Sequence, residues 1–254
     1  MQIDSFIAVD IGNTTIEFAL FENNQITNKT YINSKPLNVE DIRNLTSINN
    51  AFKNAVFVVS SVVKANNEPL KNFLEKEYSA RVLIIDSKTF NLNIKTESRE
   101  VSSIGMDIIA KSEWAVYNKQ NPCIIVDVGT ATVVQYIDSL GYMNKAAITL
   151  GLSSIYKALN ANTEALPLIE IKNTSEVFGV DTVSAMQSGI YWGYIGTIDS
   201  LVSRAMQQTD CNNVFITGGL SKLILADISN QPVHDSNIIF EGIKVILQNN
   251  MDKL

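Results

Sequence analysis

The sequence predicts an α/β protein of two lobes, each a mixed sheet flanked by helices, and three observations predict it. The segment VDIGNTTIEF at 9–18 is echoed by VDVGTATVVQ at 126–135. Both read as an apolar strand ending in Asp, a Gly turn with small hydroxyl or amide residues, and a second β-rich strand. Each copy is followed by apolar runs that alternate with helical periods, the pattern of strands joined by helices. The length of 254 residues accommodates two domains of roughly 100 to 150 residues. The expected division is an N-terminal lobe over 1–118 and a C-terminal lobe over 119–254.

The first lobe opens with a β-meander over 5–34: FIAVDI, TIEFALF, and ITNKTYI with alternating polarity. Asn23 and Asn24 suit the positive φ values of a tight hairpin. After Pro36, NVEDIRNLTSINNAF carries apolar residues at a helical period, and AVFVVSSV at 55–62 reads as a buried parallel strand. A helix over 69–78 and the strand RVLIID complete a β-β-β-α-β-α-β order. Residues 87–104 are polar and irregular. From Gly105, GMDIIAKSEWAVYNK is again helical, with Asp107 in its first turn.

The second lobe begins with the repeated strand-turn-strand at Cys123 and a hairpin turn at 140–144. Helices are expected at about 152–162 and 182–209. The strand VFIT then enters the Gly218–Gly219 turn, and FEGIKVILQNN forms the last helix. Tyr191, Trp192 and Tyr194 lie in the long helix, where core or dimer packing is the first expectation.

Hydrophobic residues make up 46% of the chain and charged residues 18%, which suits a folded enzyme and excludes a disordered or fibrous chain. The net charge of −6, with 20 Lys and Arg scattered without a cluster, argues against nucleic acid. Anionic ligands must then be held locally, by backbone amides or single cations. Cys123 and Cys211 are far apart and lack His neighbours, so neither a disulfide framework nor a zinc site is expected. Both read as buried apolar residues in a reducing cytoplasm. With no basic and apolar leader and no apolar run of about 18 residues, a cytoplasmic location without membrane contact is expected. His234, in a polar loop, reads as a surface residue.

The turns carry the chemistry. Backbone N–H groups converging in a Gly turn form a cradle for phosphate oxygens, framed by Asn13, Thr14 and Thr15 in the first copy and by Thr130 and Thr132 in the second. Each Asp, where its strand enters the turn, can position a hydrated cation or orient a nucleophile. Two such turns facing one another would clamp one nucleotide.

Strand-Asp-Gly-turn-strand, a second copy, then a late strand-Gly-Gly-helix resembles the acetate and sugar kinase, heat-shock ATPase and actin superfamily. That resemblance implies a duplicated ribonuclease H-like (actin-like ATPase) fold. A narrower set of motifs resembles type III pantothenate kinase: DIGNT at 10–14, G-x-D at 105–107, DVGTAT at 127–132, LNANTEALP at 159–167, VFGVDTVSAMQSGIYWGYIG at 177–196, TGGLS at 217–221 and FEGIK at 240–244. The resemblance implies an ATP-dependent kinase that phosphorylates pantothenate in the first step of coenzyme A synthesis. It also implies a homodimer, magnesium with ATP, and a monovalent cation, potassium or ammonium.

Carried over motif by motif, Asp107 would be the base that takes the pantothenate hydroxyl proton, with Gly105, Met106 and Ile108 beside the acceptor. Asp10 would organise magnesium-ATP, and Ile11, Gly12, Asn13, Thr14, Thr15, Ile16 and Glu17 would line the nucleotide. Thr130 would touch phosphate, Gly218 and Gly219 would lie against adenosine, and Asp127 would hold potassium. Thr182 would reach pantothenate across the dimer interface. Simpler readings exist: an acid in a first helical turn caps the helix, a Thr at a helix start is an N-cap, and Asp127 could just end a strand.

The chain departs from the family pattern at several positions. Ile108 stands where an Arg is usual, Ser98 where a Tyr is common, Asn144, Lys145 and Leu150 where Gly, Gly and Pro are expected, and Gln135 where an Asp is expected. These lie in or near the acceptor half, and Lys145 or Arg99 could supply the missing cation. They leave open a catalytically degenerate nucleotide-binding accessory or regulatory homologue of the same fold. Retention of Asp107 favours catalysis.

Overall fold

The computed structural model describes residues 4–45, 48–97, 104–143 and 145–253. The chain forms two compact units, one drawn from Met1–Lys119 with Asn237–Leu254 and the other from Gln120–Ser236.

In the first unit, β1 (Ser5–Ile11), β2 (Thr15–Glu22) and β3 (Gln25–Asn33) form the expected meander. Asn23 and Asn24 adopt φ values of 52° and 65°, as a primed hairpin turn requires. Short helix α1 (Glu40–Arg43) precedes β4 (Val56–Ser61), and α2 (Asn67–Tyr78) crosses over to β5 (Arg81–Ile84). The sheet order is β3-β2-β1-β4-β5. β1 is antiparallel to β2 and parallel to β4. Helix α3 (Met106–Tyr117) follows.

The second unit repeats this plan. β6 (Cys123–Val128), β7 (Ala131–Ile137) and β8 (Lys145–Leu150) form a meander. Helices α4 (Leu152–Ala161) and α5 (Thr182–Thr209) lead to β9 (Val214–Thr217), α6 (Ser221–Ile224) and β10 (Val233–His234). The order β10-β9-β6-β7-β8 is the first sheet's order with each strand replaced by its counterpart, and β6 pairs antiparallel with β7 and parallel with β9. Helix α7 (Ile238–Gln248) closes the chain.

Alternation along β1 explains the first unit's two cores. Ile7, Val9 and Ile11 pack with Phe52, Phe57, Leu70 and Leu74 on one face. Phe6 and Ala8 pack on the other with Ile109 and Ala110 of α3 and Phe240, Ile243 and Ile246 of α7. The expected second lobe from 119 to the C-terminus is therefore corrected. α7 belongs to the first unit, because its apolar stripe completes the second face of β1. The contact is close: a Cβ at Gly242 would lie 1.8 Å from the Ala110 carbonyl oxygen. In the second unit, Ile124, Val126 and Val128 of β6 pack against Ile190, Tyr191, Tyr194 and Ile198 of α5.

Two further expectations change. The helical period at 38–52 yields only α1 and a single 3₁₀ turn at Asn49–Ala51 among the described residues. Asn38 Oδ1 accepts from the Glu40 amide and Asn49 Nδ2 donates to the Arg43 carbonyl, and such side-chain bonds to the backbone compete with a continuous helix. His234 is not in an open loop: it forms the short strand β10, and its Nε2 lies 3.0 Å from Ser221 Oγ. Cys123 and Cys211 are buried free thiols as expected, and burial pushes Cys123 up to about 12. Among the described residues no helix is long and apolar enough to cross a membrane.

Candidate active site

Asp10 is the penultimate residue of β1, paired with Glu17 of β2 and Ser60 of β4. The turn that follows is closed by the Gly12 amide donating to the Thr15 carbonyl at 2.9 Å. Asn13 and Thr14 project into solvent at its tip. Lys35 Nζ donates to Asn13 Oδ1 at 3.1 Å, placing a cation on the turn that the sequence reading did not single out. Ser60 is fully buried, and its Oγ has no hydrogen-bond partner among the described residues. Ile11 and Ile16 are fully buried in the core. Only their backbone, and not their side chains, is therefore open to a ligand at this turn.

Asp127 occupies the same place in β6, paired with Val133 of β7 and Thr217 of β9. Its turn is more tightly held than the first. The Gly129 amide donates to the Ala131 carbonyl at 3.2 Å, and the Gly151 amide and Ser154 Oγ donate to the Thr130 carbonyl at 3.0 and 2.6 Å. A Cβ at Gly151 would meet the Gly129 carbonyl oxygen at 2.0 Å, so the start of α4 presses directly on this turn. Thr130 is exposed, as a phosphate contact requires. Thr132 is not: it is fully buried and hydrogen-bonds the Tyr194 hydroxyl, which burial pushes up to about 12. It anchors α5 to the sheet and does not frame a cradle.

Gly218 has φ +96°, a value an L side chain resists. A Cβ there would lie 2.5 Å from the Val128 carbonyl oxygen and 2.6 Å from Asp127 Oδ1. Only a glycine fits between the Val128 carbonyl and the Asp127 carboxylate here. Ser221 Oγ donates to the Gly218 carbonyl at 2.6 Å and is itself held by His234. Gly219 is exposed and unobstructed. Among the described residues no three His, Cys, Asp or Glu side chains could cage a metal. A single carboxylate such as Asp10 fits magnesium, which keeps several waters and takes phosphate oxygens.

The acceptor-side motif lies at the start of α3. Gly105 is the N-cap, with Val62 3.6 Å from where its Cβ would be. The Val62 amide donates to the Ile11 carbonyl, so the Asp10 turn, the end of β4 and Gly105 gather at one end of the first unit's sheet. Asp107 is 25% exposed, and its Oδ2 lies 3.1 Å from Nζ of Lys111, a side chain only 1% exposed. Sequence reading missed Lys111; the Asp-to-Lys spacing of four on a helix was the available signal. Ile108 is half-buried, and Met106 is packed into the core beside Ile109.

Thr182 is exposed in the first turn of α5 but is not the N-cap. That place belongs to Asp181, which forms a capping box with Ser184, and the Ser184 amide holds the Asp181 carboxyl below its usual range. Lys145 is exposed and lies over the Tyr136 ring, 6.0 Å from its centroid. Gln135 is fully buried. Ser98, Arg99 and Asn144 lie outside the described residues.

Against known proteins, the sequence pattern of type III pantothenate kinase matches residues 6–204. A type III pantothenate kinase from Brevibacillus brevis is 32% identical, the alignment covering 96% of this chain and 98% of that protein. One from Exiguobacterium sibiricum is 33% identical over 96% of this chain and 89% of its own length. Among solved structures, a ROK family glucokinase from Streptomyces griseus aligns over 97% of this chain and 99% of its own, with TM-score 0.51 and 12% identity. That likeness bears on the fold alone, and it agrees with the duplicated two-lobed actin-like architecture.

Proposed function

The chain belongs to the type III pantothenate kinase family, and from that premise we propose how its residues carry out the reaction. The enzyme transfers the γ-phosphate of ATP to pantothenate, the first step of coenzyme A synthesis. The observation that carries the assignment of residues is Asp107, a partly exposed carboxylate in the first turn of α3, at the same sheet end as the Asp10 turn.

In this reading Asp107 accepts the proton of the pantothenate hydroxyl as its oxygen attacks the γ-phosphorus in line and ADP leaves. The amides of the turn at 12–15, with Asn13, Thr14 and Lys35, hold phosphate oxygens, and the family motif assigns Thr130 a phosphate contact as well. Gly219 offers an open face to adenosine. Magnesium at Asp10 and potassium at Asp127 and the Val128 carbonyl would neutralise phosphate charge when bound. Ile108 supplies no cation, so the acceptor contact relies on other groups.

The protein is also proposed to act in the cytoplasm as a homodimer. Support comes from the apolar side chains that the second unit leaves exposed: Ile148, Leu150, Leu168, Phe178 and Val180, the last two 89% and 99% exposed. Thr182, two residues after Val180, is itself exposed, as a residue reaching a partner's acceptor site would be.

The test is phosphate transfer from radiolabelled ATP to pantothenate, with magnesium and potassium present and Asp107→Asn alongside. Product from the wild type alone is expected. Wild-type turnover in the variant would remove Asp107 from the mechanism. Activity is expected to be higher in potassium than in sodium, and indifference to the cation would count against Asp127 as its ligand.

A further inference from the structure

α3 buries three consecutive polar side chains, Lys111, Ser112 and Glu113. Two have local structural explanations. Ser112 Oγ donates to the Ile108 carbonyl at 2.9 Å, and Glu113 accepts from Asn93 Nδ2 and the Ile94 amide, each at 2.9 Å, which pins the incoming loop. Lys111 is the one of the three whose side chain reaches back to the start of its own helix. An ammonium taken out of water carries a desolvation penalty that an apolar side chain of similar volume would avoid.

Its Nζ reaches the one carboxylate at the start of the same helix. The pair is lopsided: the ammonium is sealed, whereas Asp107 stays open on one side. The two carboxylate oxygens are placed differently. Oδ2 is engaged by Lys111 at 3.1 Å, and Oδ1 lies over Gly105, where a Cβ would come within 2.4 Å. Oδ2 is thereby held by a cation behind it, while Oδ1 keeps its place only because its N-cap is a glycine.

We propose that Lys111 is a positioning residue for the transfer reaction: by holding Oδ2 it orients the Asp107 carboxylate so that Oδ1 is the oxygen presented to the acceptor hydroxyl. This rests on the reading of Asp107 as the base. The hydroxyl proton passes to Oδ1, the hydroxyl oxygen bonds to the γ-phosphorus, and the bond from that phosphorus to the β–γ bridging oxygen breaks to release ADP. Lys111 keeps its protons throughout and does not touch substrate.

Steady-state kinetics on Lys111→Met, Lys111→Gln and Asp107→Asn, with melting curves, test it. A misoriented catalytic group costs turnover, so Lys111→Met should lower kcat by about tenfold or more. KM for ATP and pantothenate and the melting temperature should hardly move. Lys111→Gln keeps an N–H donor for Oδ2 and should retain more of kcat. Wild-type kcat in Lys111→Met overturns the proposal, as does a loss confined to KM for pantothenate, which would make Lys111 a substrate contact. If Lys111→Met fails to fold, Lys111→Gln decides by the same split. The two readings fail separately: an active Asp107→Asn removes the base, whereas an inactive Asp107→Asn beside a fully active Lys111→Met removes only the positioning role.

Discussion

The two units share one sheet plan but use it differently. In the first, the central strand is covered on both faces, by α2 on one side and by α3 with α7 on the other, and its helix α3 carries buried ionisable groups beside Asp107. In the second, β8 is exposed along most of its length and the apolar segment around Phe178 and Val180 lies open. Their turns differ in the opposite sense. The first is closed by its own backbone, with only a 3.2 Å contact awaiting a Cβ at Gly12, whereas the second is clamped by Gly151 and overlain by Gly218. The same sheet plan therefore carries different local features in the two units. One places a partly exposed carboxylate in the first turn of a helix; the other holds a tightly packed turn and exposed apolar side chains.

The sharpest way to break this comparison is to remove the partly exposed acid that the first unit places in the first turn of α3. Asp107→Asn should slow transfer by roughly a thousandfold, in the range of a lost general base, with circular dichroism unchanged. Next come the turns. Gly151→Ala drives a Cβ into two carbonyl oxygens and should cost about 3 kcal/mol, as overpacking against backbone does. Gly12→Ala should cost less than about 1 kcal/mol by comparison. Equal losses in urea unfolding would dissolve the distinction between the two turns.

On the open surface, Phe178→Asp should weaken self-association by about 2 kcal/mol, the scale of a buried aromatic anchor. Light scattering across a dilution series would read it. A wild-type chain that stays monomeric at all concentrations would close this question against the homodimer. The smallest effect concerns α3. Burial raises the Glu113 carboxyl above its ordinary value, so its contribution to stability is full below the unfolded pKa and is lost as pH rises through the folded one. Glu113→Gln removes that loss. Wild type and variant should melt together in acid, and the variant should melt slightly higher at neutral pH.

Local features of the fold were legible in the sequence. Asn23–Asn24 dictates its hairpin without help from the rest of the chain, and the Asp181 capping box and the left-handed Asp210 bound α5 at its expected ends. What sequence could not carry was allegiance. The period of α7 says that it has a buried face but not which sheet receives it, and only the packing of Phe240 and Ile243 on β1 answers that. The same gap hid Lys111, because an acid and a lysine four residues apart on a helix read as a solvated pair until the lysine is found sealed. Thr132 was misjudged for a smaller reason. It shares a strand face with Val134, which points into the core.

The return of α7 to the first unit also sets an order on synthesis. Residues 120–236 can complete their sheet as soon as they have emerged, whereas the first unit waits for 237–254 with Phe6, Ala8, Ile109 and Ala110 uncovered. A chain stalled or cut before Ile238 would therefore display an unfinished apolar face on the very unit that holds Asp10 and Asp107. Exposed apolar surface of this kind is what makes incompletely folded chains prone to aggregate.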